Sequence, residues 1–159
     1  MDIEILYHDK FKFEQEEFLF KMYLNRIIKI SNNLITKIKT EKVNDKSLIK
    51  KIKLKKGTEA IILLDEKGEV VTTDKFKHLL FETSLSKILF VIGGTDGFSK
   101  EINNLCNKRI SLSKMTLTHS FAAIILLEQI YRSVTIKFNH PYHRALNETI
   151  FNWYFIYII

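Results

Sequence analysis

Two short apolar runs, each closed off by turn residues, constrain this chain most. Ala60-Ile61-Ile62-Leu63-Leu64 lies between Gly57 and Asp65-Glu66-Lys67-Gly68. Lys87-Ile88-Leu89-Phe90-Val91-Ile92 runs straight into Gly93-Gly94-Thr95-Asp96-Gly97. Neither run alternates with polar residues, so each reads as a strand buried on both faces, the habit of parallel sheets covered by helices. Parallel strands need crossovers, and the rest of the sequence supplies them. Ile3 to Tyr7 reads as an opening strand, Phe11 to Ile30 as a helix, Leu34 to Ile38 as a second strand and Asp45 to Leu54 as a basic helix. Thr73 to Ser84, capped by Thr73, is the next helix. Ser99 caps a helix over Lys100 to Asn107, Arg109 to Leu112 is a last strand, and Ser120 to Lys137 is the longest helix. Strand and helix alternate five times, which predicts an α/β fold on a parallel sheet.

The long helix carries Phe121-Ala122-Ala123-Ile124-Ile125-Leu126-Leu127, with no polar stripe. A surface helix shows one. This helix is expected to be covered by its own sheet on one side and by another subunit on the other.

At 159 residues the chain has room for one domain and for a real core. A hydrophobic fraction of 46% and a charged fraction of 27% are ordinary globular values and exclude wholesale disorder. Cys106 is the single cysteine. It excludes an intrachain disulfide and a cysteine-based zinc cluster, and it fits a reducing, cytoplasmic compartment. No apolar run reaches the length of a membrane-spanning helix, about 18 residues, and the first residues do not resemble a signal peptide. The formal net charge is +7, and it is concentrated. Between Lys29 and Lys56, ten lysines face Glu41 and Asp45, a local excess of +8 that leaves the remainder at −1. Such a segment attracts a polyanion, and nucleic acid is the usual one. The same lysines also read simply as a solvated face.

Three segments carry candidate chemistry. The Gly93–Gly97 turn follows a buried strand, where parallel sheets bind ligands and where glycine lets backbone approach them. Neither the dinucleotide fingerprint nor the phosphate loop is present. Ile110-Ser111-Leu112-Ser113-Lys114-Met115-Thr116-Leu117-Thr118-His119 interleaves apolar and hydroxyl residues, and its backbone is suited to holding a heteroaromatic ring. His140-Pro141-Tyr142-His143-Arg144 brings together groups suited to moving a proton and gripping a phosphate or base. No acidic or cysteine ligand set accompanies its histidines, so no metal is expected.

Phe90-Val91-Ile92-Gly93-Gly94-Thr95-Asp96-Gly97, Leu112-Ser113-Lys114-Met115-Thr116-Leu117-Thr118-His119, Leu127-Glu128-Gln129-Ile130-Tyr131-Arg132 and Asn139-His140-Pro141-Tyr142-His143-Arg144 follow one another at characteristic intervals. Together they closely resemble the RlmH family of bacterial ribosomal RNA methyltransferases, small members of the SPOUT superfamily. The motifs cover about Ala60 to Arg144. The N-terminal third matches in length and element order, but Tyr7-His8-Asp9-Lys10 stands where the family usually carries a glycine. The resemblance implies a SPOUT-type α/β fold with a C-terminal trefoil knot, a homodimer, and S-adenosylmethionine as methyl donor without a metal. It implies methyl transfer to the ring N3 of a pseudouridine in large-subunit (23S) ribosomal RNA, within assembled ribosomes, with neither DNA nor a membrane as partner. By family position the cofactor touches Leu64, Gly93 and the loop Leu112, Ser113, Lys114, Met115, Thr116 and Leu117. Tyr142, His143 and Arg144 match the family's substrate and catalytic residues. His143 is expected to manage the proton, Arg144 to offset charge or grip a phosphate, and Tyr142 to stack on or orient the base.

The expected methyltransferase domain is residues 1–144, followed by an apolar extension, residues 145–159, that the family generally lacks. Two alternatives stay open at this point: a non-catalytic RNA- or ribosome-binding protein on the same scaffold, and a methyltransferase of this fold with a different RNA target.

Overall fold

A computed structural model of the chain describes residues 1–8, 10–94 and 97–143. Thr95, Asp96, Arg144 and the extension 145–159 lie outside the described residues. The elements alternate as the sequence predicts: β1 (Asp2–Tyr7), α1 (Glu14–Ile30), β2 (Lys37–Lys42), α2 (Asp45–Lys55), β3 (Ala60–Val70), α3 (Thr73–Phe81), β4 (Lys87–Ile92), α4 (Lys100–Leu105), β5 (Lys108–Ser111) and α5 (His119–Lys137). The five strands form one sheet in the order β2-β1-β4-β3-β5, and every pairing is parallel.

The two apolar runs are the centre of this sheet. Ile61 to Leu64 and Ile88 to Ile92 are all buried, and β3 and β4 pair from Ala60↔Ile88 to Leu64↔Ile92. Each such side chain contributes about 1.5–3 kcal/mol from burial, an upper bound because unfolded chains already hide some surface. Side chains alternate between two cores. Ile62, Leu64, Ile88, Phe90 and Ile92 pack with α1, α3 and α5 on one face, while Ile61, Leu63, Leu89 and Val91 pack with α2 and α4 on the other.

Several boundaries differ from the sequence reading, each for a local reason. The second strand is Lys37–Lys42, not Leu34–Ile38. Leu34 and Ile35 belong instead to a turn in which the Leu34 amide donates to Ser31 O and the N-terminal amine to Leu34 O, both at 2.9 Å. Lys37, Lys39 and Lys42 hide the alternation of an edge strand. The helix cap before Phe76 is Thr72, whose hydroxyl oxygen accepts the Lys75 amide at 3.3 Å. Thr73 donates to the Gln129 side chain at 2.9 Å, and the helix ends at Phe81. The helix capped by Ser99 stops at Leu105, because Asn107 exchanges two 2.8 Å hydrogen bonds with the Ile61 backbone.

The long helix is covered mostly from within. It lies on the sheet between α1 and α3, and Ala123, Ile124, Leu126, Leu127, Ile130 and Val134 are all buried by the chain itself. Of the run 121–127, Phe121 stays exposed, at 49%. Glu16 ties α1 to the start of α5. One oxygen accepts the Ser120 hydroxyl at 2.9 Å, and the other takes the Lys12 and Phe13 amides at 3.2 and 3.4 Å.

The sequence reading placed a turn at Asp65–Gly68, but β3 does not end there. Its register against β5 jumps, so that Leu64 and Glu69 both pair with Ile110. Asp65 to Gly68 bulge out, and the strand then rejoins. Gly68 makes the return possible, since a Cβ there would meet the Ile110 backbone at 2.7 Å. Gly68→Ala is expected to cost about 1–3 kcal/mol through overpacking against main chain, measured by denaturant unfolding. Unchanged stability would contradict the close approach.

Candidate active site

β4 and β5 end beside the bulge of β3, and a cleft of about 730 Å³ opens there. That volume lies in the usual small-molecule range, roughly 300–1,000 Å³. Leu64 and the bulge residues Asp65, Glu66 and Lys67 form one wall, Ile92, Gly93, Gly94, Gly97 and Phe98 the second, and the segment Ser111 to His119 the third. The glycine turn and the 112–117 loop, distant in sequence, therefore face one another across a single cavity.

Local geometry explains how each wall is built. Gly97 has φ +71°, and its amide donates to Gly94 O at 3.2 Å. Only glycine takes that backbone without strain. A Cβ on Gly93 would come within 3.1 Å of the Phe98 ring, so the bare glycine lets that ring close over the strand end. The third wall is pinned by Ser111, whose hydroxyl donates to Ser113 O at 2.6 Å, and by Ser113, whose hydroxyl oxygen accepts the Met115 amide at 2.9 Å. Thr118 then caps α5, accepting the Phe121 amide at 3.3 Å. The bulge is braced to this wall. The Thr116 hydroxyl donates to Glu66 at 3.0 Å, and Arg109 lies 3.5 Å from Asp65.

Of the predicted cofactor residues, Leu64, Gly93, Leu112, Ser113, Met115, Thr116 and Leu117 line the cleft. Lys114 sits in the same loop, exposed and outside the lining. Sequence reasoning does not find Asp65 and Glu66, which read as a bounding turn, or Asn103, yet all three line the cleft. The δ oxygen of Asn103 is buried without a hydrogen-bond partner, while its amide nitrogen donates to Phe98 O and Ser99 O at 3.1 Å. A buried orphan acceptor is costly, and this one stands in the cleft wall. No sequence signal marks it. Gly68, next to acidic residues at a strand end, was the available sign of the bulge.

Tyr142 and His143 lie elsewhere. After α5, Asn139 takes a left-handed backbone, φ 52°, as a helix-ending asparagine can, and the chain folds back. The Tyr142 hydroxyl donates to Glu128 Oε1 at 2.9 Å and lies 3.4 Å from the Tyr23 hydroxyl. Its ring meets Tyr131 edge-on at 4.7 Å, with the Arg132 guanidinium 4.8 Å from its centroid. Arg132 donates through Nε to Glu128 at 2.9 Å and stands 3.4 Å from His143 Nδ1. Glu128 and Arg132, four apart on α5, are therefore the hub of this cluster. Burial, then the hydrogen bonds with Tyr23 and Glu128, push the Tyr142 phenol well above its ordinary value. Hydrogen bonding to Glu128 raises the Arg132 guanidinium, against the opposing effect of burial.

The cleft lies at the start of α5 and this cluster from its middle onward. His119 lines the cleft and Arg132 contacts His143. Ala122 also lines the cleft, and the ten helical residues from it to Arg132 rise about 15 Å at 1.5 Å per residue. One chain thus holds the predicted cofactor loop and the predicted catalytic imidazole apart. Among the described residues, no group of three or more His, Cys, Asp or Glu side chains is placed to hold a metal, and no helix is long and apolar enough to cross a membrane.

Comparisons with known proteins extend this picture. Residues 1–143 match the family described as "Predicted SPOUT methyltransferase". A ribosomal RNA large subunit methyltransferase H of Christiangramia forsetii is 33% identical over 158 residues, covering 90% of this chain and 99% of the relative. One from Dictyoglomus thermophilum is 48% identical over 88 residues, 54% of this chain and 58% of the relative. Another, from Nitrosomonas eutropha, is 41% identical over 54% of this chain and 56% of its own length. The matches to these last two thus span little more than half of those relatives. Among solved structures, a Legionella pneumophila protein with the cofactor SAM bound is similar at a TM-score of 0.50 and 12% identity, over 84% of this chain and 66% of that one. That likeness is one of fold.

Tyr142→Phe keeps the ring contacts and removes the hydroxyl's hydrogen bonds, an expected loss of about 1 kcal/mol at neutral pH. The folded state favours the neutral phenol, so this contribution is fully present below the ordinary value of 10.0. It is lost as pH rises through the higher folded value. Unfolding of both proteins by denaturant, at neutral pH and above pH 10, is expected to show the gap narrowing; a constant or widening gap would contradict it.

Proposed function

Because the chain belongs to the SPOUT methyltransferase family, and within it to the ribosomal RNA large subunit methyltransferase H group, we propose that it transfers a methyl group from S-adenosylmethionine to the ring N3 of a pseudouridine in large-subunit ribosomal RNA. The reading places the protein in the cytoplasm, working on assembled ribosomes as a homodimer. The family's trefoil knot belongs to the same reading, as the threading that draws the glycine turn and the 112–117 loop together.

The cleft suits the cofactor. Leu64, Ile92, Leu112, Leu117 and Ala122 offer apolar surface, and the loop backbone offers hydrogen bonds to a heteroaromatic ring. Asp65 and Glu66 put carboxylates beside a ligand that carries a positive sulfur, and Asn103 holds an acceptor in want of a donor. When bound, the cofactor supplies an already activated methyl group. The protein must then hold the acceptor nitrogen in line, about 3 Å from that carbon, and manage the N3 proton. His143 receives that proton in this reading. Tyr142, kept neutral by its surroundings, donates a hydrogen bond, and Arg144 offsets the negative charge left on the base.

The observation that carries the proposal is the separation of these groups within one chain. His143 is held against Arg132, about 15 Å along α5 from the last cleft residue, Ala122; a second copy that brings its His143 to this cleft, and receives this His143 in return, completes the site. Symmetric dimers pair surfaces in that reciprocal way. Phe18 and Ile28 on α1, 67% and 57% exposed, and Phe121 on α5 offer apolar surface for that second copy.

Mixed dimers test both halves. Leu117→Arg blocks a cleft, and His143→Ala removes an imidazole; neither homodimer is expected to methylate. His143→Ala should still bind S-adenosylmethionine in a calorimetric titration. Random mixing of the two should restore about a quarter of wild-type activity, through heterodimers with one intact shared site. No recovery would overturn the shared site, and binding lost together with activity in His143→Ala would overturn the assigned role.

A further inference from the structure

The ten lysines of residues 29–56 divide sharply in the fold. Three are spent on internal pairs: Lys51 with Glu41 at 2.6 Å, Lys53 with Glu101 at 2.6 Å, and Lys55 with Glu4 and Glu59 at 2.6 and 3.0 Å. Two of these pairs strap α2 to the sheet margin, because Glu41 is on β2 and Glu4 on its neighbour β1. Lys37, Lys39 and Lys42 of β2 and Lys46 and Lys50 of α2 have no acidic partner among the described residues, and all five are exposed.

Their placement is ordered. The register Asp2↔Lys37, Glu4↔Lys39 and Leu6↔Glu41 puts Lys37 and Lys39 on the sheet face that α2 covers, because Leu6 packs in that core. With Lys87 they border a hollow of about 220 Å³ at the amino ends of the strands, which Asp2, Glu4 and Glu59 also line. Lys46 and Lys50, four apart, share one face of α2. Lysines on an open strand edge also deter edge-to-edge pairing, but that role says nothing about α2. Five like charges left unpaired on two strapped elements fit a polyanion, whose phosphates restore the balance and release counterions. The margin lies two strands from β4, the nearest strand that lines the cleft, about 10 Å across the sheet, and no residue of β2 or α2 lines the cleft.

We propose that the β2–α2 margin is a docking surface for the phosphate backbone of RNA, holding the substrate at a distance from the methyl-transfer cleft. This rests on the reading that the substrate is ribosomal RNA, and it adds the surface by which that RNA is held. Lys46→Glu with Lys50→Glu is compared with Lys75→Glu and Lys77→Glu, an equal charge change on α3. Binding of full-length large-subunit ribosomal RNA is measured across a salt series, and calorimetry and methyl transfer are followed alongside. The α2 variant should bind at least tenfold more weakly near 0.1 M salt, and its slope of log affinity against log salt should be shallower by about 1.4–1.8, the loss of two phosphate contacts. Its KM for RNA should rise, with kcat and cofactor affinity unchanged, while the α3 variant stays near wild type. An α2 variant with wild-type affinity and slope, or an α3 variant equally weakened, would overturn the docking surface. Because the binding slope is read without chemistry, a wild type that binds RNA through these lysines but methylates none would fail the functional reading alone.

Discussion

The close approach of β3 to β5 at Gly68 is the constraint from which the site follows. β3 is buried and paired up to Leu64, leaves its register, and returns beside Ile110 where no side chain intervenes. The excursion turns Asp65 and Glu66 from sheet residues into a cleft wall. Arg109 and Thr116 then brace that wall to β5 and to the loop after it. Without the bulge, the carboxyl ends of β3, β4 and β5 would carry the glycine turn and the 112–117 loop but no acidic side to the cavity between them.

A second constraint is the length of α5. A nineteen-residue helix begins at the cleft and from its middle onward carries Glu128, Tyr131 and Arg132, the cluster that seats Tyr142. Its interior is filled by the chain itself, so the helix is a rigid spacer that fixes one group relative to the other. Glu128 and Arg132, one helical turn apart, hold the C-terminal motif onto the Tyr23 and Tyr131 rings.

Much of this was legible in the sequence, and the exceptions have physical causes. Uninterrupted apolar runs announce central parallel strands, because both faces are buried, and β4 came out residue for residue. The edge strand β2 was misplaced because one of its faces carries lysines and the apolar pair Leu34–Ile35 lies in the turn before it. The glycine turn and the 112–117 loop were recognisable from composition and from the family's motifs, and they do meet in one cleft. Asp65, Glu66 and Asn103 were not foreseen, since turn-forming residues at a strand end look alike whether the strand stops or bulges. A buried orphan acceptor is a property of packing alone. The expectation that another subunit must cover α5 overstated the need, because α1 and α3 already flank it.

The central claim is that these strand ends, with a second copy's imidazole, methylate a pseudouridine of large-subunit ribosomal RNA. Purified protein incubated with S-adenosylmethionine and ribosomes lacking the modification tests it, with the RNA then mapped by mass spectrometry. The account predicts a single added methyl group, on N3 of one large-subunit pseudouridine and dependent on the donor. RNA left unmodified, or methylated elsewhere, would contradict it.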